Sequence, residues 1–315
     1  LLIPPNRNKK TMKCYERCLA GSLAVLFACF VGSSPVLADR HDMDTSKFAN
    51  ATYHGIEDSP VQLSDGRWEG KPYVEGGASR PSVGLVENFV LTGDLDGDGS
   101  DESIVLLWQS SGGSGTFDHL AVMAEVGGEL RNIATAPLGD RVQVRRAEIS
   151  YGALYLEVIQ AGEDDAACCP GQLAKRSWVL DPDGLSELDS EYLGDLSAAT
   201  IEGDEWVLTG FGPDQPVPKE VKVTLQVMQG QVSGTSGCNR YSATLENGAV
   251  PGEIKIGPAM STRMACPELQ MEIETRFLGL LGEVKSFQFL AGRLILNGTS
   301  EDTHFSLTFE IDTVD

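Results

Sequence analysis

Acidic side chains between residues 94 and 102 are the part of this sequence whose types and spacing best suit a chemical task. Ca²⁺ prefers about six to eight hard oxygen ligands, and a loop with acids at positions 1, 3, 5 and 9 can aim several at one centre. A glycine at position 6 allows the sharp turn, and a backbone carbonyl occupies position 7. The predicted ligands of a calcium site are Asp94, Asp96, Asp98, Ser100 and Glu102.

The alternative for this acidic loop is a solvated turn, because Asp-Gly pairs favour turns without any metal. Three alternating aspartates repel one another without a cation, which favours the metal. Val105 stands at position 12, where a helix–loop–helix calcium site needs Glu. The loop instead resembles the calcium loop between strands of FG-GAP-type repeats. We expect it to hold two strands together, with a dissociation constant of about 10⁻⁴–10⁻³ M.

Cysteines supply a second candidate feature. A Cys238–Cys266 disulfide would close a loop of about 28 residues and add a few kcal/mol of stability, although two buried free thiols are the alternative. Cys168 and Cys169 are adjacent, and sequence alone does not give their pairing. No CxxC or HxxxH spacing occurs, so no zinc site is predicted.

Motifs of catalysis are incomplete or missing in this sequence. Ser114 and Ser236 both lack the last glycine of a Gly-x-Ser-x-Gly elbow. The chain has neither a phosphate-binding glycine loop with lysine nor a dinucleotide fingerprint. The prediction is a non-catalytic protein, with an envelope hydrolase that uses an unrecognised acidic site as an alternative.

The elements that must position these residues are mostly strands. The pattern predicts a β-rich domain over residues 48–182, a polar connection over 181–195 and a second β-rich domain over 197–311. One convincing helix is predicted over 267–281, with a buried stripe of Leu269, Ile273, Phe277 and Leu280. The predicted class is α+β, mostly antiparallel β, in two domains.

Charge and hydropathy restrict the partners. The 315 residues carry 24 Lys and Arg against 46 Asp and Glu, a net charge of −22. Such acidity argues against binding nucleic acid or lying on an anionic membrane. After residue 38 no segment reaches about 18 consecutive apolar residues, so no membrane span is predicted. The sequence leaves the envelope partner and the oligomeric state open.

Residues 1–38 differ from the rest of the chain. A basic segment precedes a short apolar run, and Pro35-Val36-Leu37-Ala38 ends in small residues. This is the pattern of a secretory signal peptide cleaved near Ala38. The expected location is the periplasm or the exterior, with lipid attachment at Cys29 as the alternative.

Two blocks in the C-terminal part carry a family resemblance. They are Gly-Cys-Asn-Arg-Tyr at 237–241 and Thr-Arg-Met-Ala-Cys-Pro at 262–267. In this order and spacing they resemble the META domain, the family of the HslJ-type heat-shock protein, over about residues 197–311. The resemblance implies antiparallel strands with one helix, and an exported protein linked to stress or antibiotic tolerance. It carries no catalytic residues.

Polar residues of the same blocks are candidate ligand contacts. Arg240 and Arg263 are among few cations in an acidic chain, and Asn239 can bond neighbouring backbone. Salt bridges at the sheet edge are the simpler interpretation of the two arginines. Their alternative role is in a small-ligand or peptide-binding module, which requires that their side chains converge on a pocket.

Overall fold

The computed structural model describes residues 45–163, 165, 166 and 169–312. The predicted signal peptide, Cys29 and Cys168 lie outside the described residues. Every strand pair within the described part is antiparallel. The prediction of mostly antiparallel β-structure is therefore confirmed.

A five-stranded sheet holds the acidic loop. Its strands follow chain order and comprise β3 (Arg67–Glu69), β4 (Ser82–Gly93), β5 (Glu102–Ser110), β6 (Phe117–Val126) and β7 (Glu129–Asp140). One face is covered by a short helix, α1 (Ser46–Ala49), and by the pair β1 (Thr52–Tyr53) and β2 (Val61–Gln62). Phe48 of α1 is only 1% exposed, so this helix is anchored to the sheet.

A four-stranded sheet packs on the other face of the first. Its strands are β8 (Gln143–Ser150), β9 (Ala153–Gln160), β10 (Gln172–Asp181) and β11 (Gly184–Asp195), again in chain order. Apolar side chains from both sheets, including Trp178, form one core. Strand β11 occupies the stretch predicted as a polar connection. That prediction was wrong because most side chains of β11 are exposed at the edge of the sheet. Backbone bonds to β10 and the Arg176–Glu187 ion pair hold the strand there, with little apolar burial.

The C-terminal sheet curls into a nearly closed barrel. Its strand order is β16-β15-β14-β13-β12-β20-β19-β18, with β17 beside β15. Glu253 and Ser286 bridge its two ends. The strands are β12 (Glu205–Gly210), β13 (Thr224–Met228), β14 (Gln231–Thr235), β15 (Arg240–Asn247), β16 (Ile254–Ile256), β17 (Met260–Ser261), β18 (Val284–Leu290), β19 (Arg293–Ser300) and β20 (Thr303–Ile311).

Helix α2 (Glu268–Leu281) packs on this barrel, where the sequence predicted a helix. It begins after Pro267, and Ile273, Phe277 and Leu281 are buried. Leu269 is 37% exposed, so the predicted stripe is displaced by part of a turn towards Leu281. Among the described residues no helix is long and apolar enough to cross a membrane.

The two halves share buried side chains. Ile159 of β9 belongs to the barrel core, and Ala291 of the β18–β19 turn belongs to the core between the other two sheets. All described residues fall within one compact unit. The division into domains at 48–182 and 197–311 remains a prediction.

Candidate functional site

The acidic loop, residues 94–102, connects β4 and β5. Gly93 and Glu102 are the last register partners of the two strands, so the loop closes a hairpin. Gly97 and Gly99 have φ values of 80° and 91°, which L-residues with side chains rarely adopt. The glycines therefore let the chain turn back and bring carboxylates from both ends of the loop together.

Three of the five predicted ligands lie close together. Asp94, Asp96 and Glu102 each offer an oxygen, and these oxygens all lie within 4.8 Å of one another. Asp98 is outside this group, and its carboxylate accepts a hydrogen bond of 2.7 Å from the Ser100 N–H. The described arrangement thus supplies three carboxylates for a cation.

Hydrogen bonds within the loop fix these carboxylates. Asp94 accepts from the N–H groups of Gly97 at 2.7 Å and Gly99 at 3.2 Å. Glu102 accepts from the Leu95 N–H at 2.9 Å. The carboxylates are held by backbone donors and lack a cationic side chain among the described ion pairs.

Glu102 is the buried member of the group, at 3% exposure. Burial raises the pKa of Glu102, the Leu95 hydrogen bond opposes that change, and the charges of Asp96, Asp98 and Asp94 raise the pKa further. The ionised form is therefore disfavoured there, and a bound cation would offset that cost.

Cys238 and Cys266 form a disulfide, with Cα atoms 5.9 Å apart. Cys238 lies in the turn between β14 and β15, and Cys266 lies just before α2, so the bond links this turn to the start of the helix. Both half-cystines are half-buried. The two motif blocks of the sequence are thus covalently joined.

Asn239 lies beside the disulfide and is 3% exposed. Its Oδ1 accepts from the Thr262 hydroxyl at 2.8 Å and the Met264 N–H at 2.7 Å. Its Nδ2 donates to Glu274 Oε1 at 2.9 Å. Asn239 therefore ties both motif blocks to α2, and its amide is occupied within the protein.

Glu274 of α2 completes this network. It accepts from the Asn239 N–H at 2.7 Å and from the Ser236 hydroxyl at 2.5 Å. Burial acts to raise the pKa of Glu274, but the hydrogen bonds from Ser236 and Asn239 outweigh it and lower the pKa. Ser236 is fully buried, so its hydroxyl is inaccessible to a substrate.

Arg240 and Arg263 are both exposed. Neither forms an ion pair within the described part of the chain, so the salt bridges suggested for them are not found there. Neither lines the two clefts described here, of about 770 and 380 Å³. The two arginines therefore contribute to neither of these two clefts.

Sequence reasoning missed two groups of residues. One is a cleft beside α2 that contains Arg276, and the other is a buried Arg145 with carboxylates around it. Both are assembled from segments far apart in the chain, and no local motif marks either.

The C-terminal part is a curled antiparallel sheet with one helix packed on it and a disulfide that joins the two motif blocks. The family model of the META domain matches residues 199–309. The chain therefore carries a META domain in its C-terminal part.

Other similarities are limited. No curated protein matches the chain. Among solved structures, an NMR structure of a protein from Burkholderia xenovorans is 25% identical, covers 42% of this chain and 98% of its own, and has a TM-score of 0.31.

Proposed function

We propose that the chain is an exported, non-catalytic envelope protein with a META domain, linked to stress or antibiotic tolerance. The single observation that carries the proposal is the META match over residues 199–309. The N-terminal half contributes a calcium-stabilised β-rich module. In this proposal the protein has a structural or interaction role outside the cytoplasm and does not turn over a substrate.

Export is supported by the disulfide and by the sequence of the first 38 residues. Disulfides persist in oxidising compartments such as the periplasm. The Cys238–Cys266 bond joins the two motif blocks of the META domain. An oxidising location suits a domain whose helix is attached in this way.

Calcium binding is supported by the three clustered carboxylates and the buried position of Glu102. Hard carboxylate oxygens suit Ca²⁺ or Mg²⁺, and flexible geometry with high coordination favours Ca²⁺. Asp94, Asp96 and Glu102 hold the ion in this proposal. Its role is to neutralise the loop and fix the β4–β5 hairpin.

Fractionation of cells that express the full chain tests export. We expect the protein outside the cytoplasm, with an N-terminus at Asp39 and with Cys238 and Cys266 oxidised, as read by N-terminal sequencing and thiol labelling. A Leu26→Arg variant, which charges the apolar run, should retain the uncleaved chain inside, whereas Leu1→Arg should not. Uncleaved protein with reduced Cys238 and Cys266 in the cytoplasm would contradict the proposal.

A further inference from the structure

An open cleft of about 770 Å³ lies on the META domain, between helix α2 and the β19–β20 hairpin. We refer to it as the helix–hairpin cleft. The loop 211–215 forms its third wall. Ligand clefts of small molecules are commonly about 300–1,000 Å³. The volume therefore suits a molecule the size of a sugar or a short peptide.

Arg276 is the cation of this cleft. Its guanidinium lies 4.1 Å from the centroid of the Phe211 ring, and its Nη2 donates to Gln215 Oε1. No carboxylate pairs with it among the described residues. The two contacts orient the guanidinium without neutralising it, and this arrangement suits a carboxylate from a ligand.

The remaining lining combines polar and apolar groups. Phe211 is buried and Phe305 half-buried, and together they give apolar surface. Asn297 and Ser306 also line the cleft, and their side chains have no hydrogen-bond partner within the described part of the chain. Asp214 is the one acid of the lining. Free amide and hydroxyl groups next to an oriented cation suit a hydroxylated anion.

We propose that the helix–hairpin cleft binds a small hydroxylated carboxylate, such as a uronic acid. The carboxylate pairs with Arg276, the ligand hydroxyls bond Asn297 and Ser306, and the ring packs on the apolar part of the lining. The guanidinium, which has no carboxylate partner among the described residues, attracts such a group locally, although the net charge of −22 acts against anions in general. This site is distinct from Arg240 and Arg263.

Titration of the full chain with glucuronate, followed by NMR chemical shifts, tests the proposal. Glucose is the matched ligand, because it has the same ring without the carboxylate. Arg276→Gln removes the charge and should weaken glucuronate binding about tenfold or more. Gly279→Leu should also weaken glucuronate binding, because the larger side chain occupies the cleft. The variant should fold, since a Cβ at Gly279 meets nothing within 4 Å and leucine favours a helix more than glycine does.

Arg263→Gln is the matched control, because Arg263 is exposed and unpaired but lies outside the cleft. We expect its glucuronate affinity to stay within about twofold of wild type, a change below the energy of one hydrogen bond. The proposal is overturned if glucuronate does not bind, if glucose binds equally well, or if both cleft variants keep wild-type affinity.

Discussion

At the scale of single residues, Asn239 and Glu274 show why the motif blocks of the META domain are polar. Asn239 uses its Oδ1 for Thr262 and Met264 and its Nδ2 for Glu274. Buried polar groups are costly unless they are fully hydrogen-bonded, and here the bonds join three separate segments. The network thus determines where the disulfide-linked turn meets α2, and the exposed side chain of Arg240 takes no part in it.

Asp118 gives a prediction about pH. It is 8% exposed, and burial raises its pKa to about 7. The charge of Asp140 also raises the pKa, whereas the hydrogen bond from the Val142 N–H lowers it. The folded chain therefore holds a proton that the unfolded chain releases near its ordinary pKa of 3.8. Stability must then fall as the pH rises through this window, and the full loss is present above pH about 7.

Asp118→Asn removes that loss and keeps an oxygen for the Val142 N–H. We expect the stability advantage of the variant over wild type to grow by about 2 kcal/mol between pH 5 and 8, measured by urea unfolding. Asp65→Asn, in an exposed turn, is the control and should show no such growth. An advantage for Asp118→Asn that does not change with pH would be incompatible with a raised pKa.

Residue patterns predicted the acidic loop but not the cleft. The predicted ligands fall within nine contiguous residues whose spacing has a geometric meaning, so the sequence alone predicts a site that includes Asp94, Asp96 and Glu102. Arg276, Phe211 and Ser306 come from three segments, and their meeting depends on how the barrel curls. No local pattern encodes such a meeting, which is why sequence reasoning missed the cleft.

At the scale of elements, alternation predicted strands best where one face is buried. The residue pattern at 153–160 predicts a strand, and β9 (Ala153–Gln160) has these bounds, because its apolar residues face the core between two sheets. Strands β7 and β11 are harder to predict, since the first five residues of β7 include no buried one and most residues of β11 are exposed. Their pairing comes from backbone bonds to β6 and β10, which leave little trace in hydropathy.

The β4–β5 hairpin that holds the acidic loop depends on a glycine. Gly84 pairs with Trp108 across the two strands, and a Cβ at Gly84 would lie 2.4 Å from the Trp108 ring. Gly84→Ala should therefore destabilise the protein by about 1–3 kcal/mol, measured by chemical unfolding. Gly113→Ala is the matched control, since a Cβ there meets nothing within 4 Å. Equal stability of the two variants would show that the ring moves away without cost.

At the scale of the whole molecule, a buried arginine connects the two halves. Arg145 of β8 is 7% exposed. It pairs with Glu157 at 2.5 Å and Asp204 at 3.1 Å, and donates to the Thr200 carbonyl at 2.8 Å. Because Thr200 and Asp204 precede the barrel, these bonds join the four-stranded sheet to the META domain. We expect the halves to unfold together.

Arg145→Ala should lower the unfolding free energy by about 3 kcal/mol, because it removes a buried charge that pairs with two half-buried carboxylates, Glu157 and Asp204. Arg146→Ala removes the more exposed arginine, 43% accessible, from the same carboxylates and should cost about 1 kcal/mol or less. Calorimetry of the full chain measures both variants. Similar losses for the two would contradict the importance of burial at Arg145.

The central claim is that Ca²⁺ binds the acidic loop and stabilises the β-rich N-terminal half. Calorimetric titration of the chelator-treated full chain with Ca²⁺ tests it most directly. We expect one ion per chain with a dissociation constant of about 10⁻⁴–10⁻³ M. Asp94→Asn should abolish binding, whereas Asp101→Asn should keep it, because Asp101 is exposed and lies outside the carboxylate cluster. No binding by wild type, or equal binding by both variants, would contradict the claim.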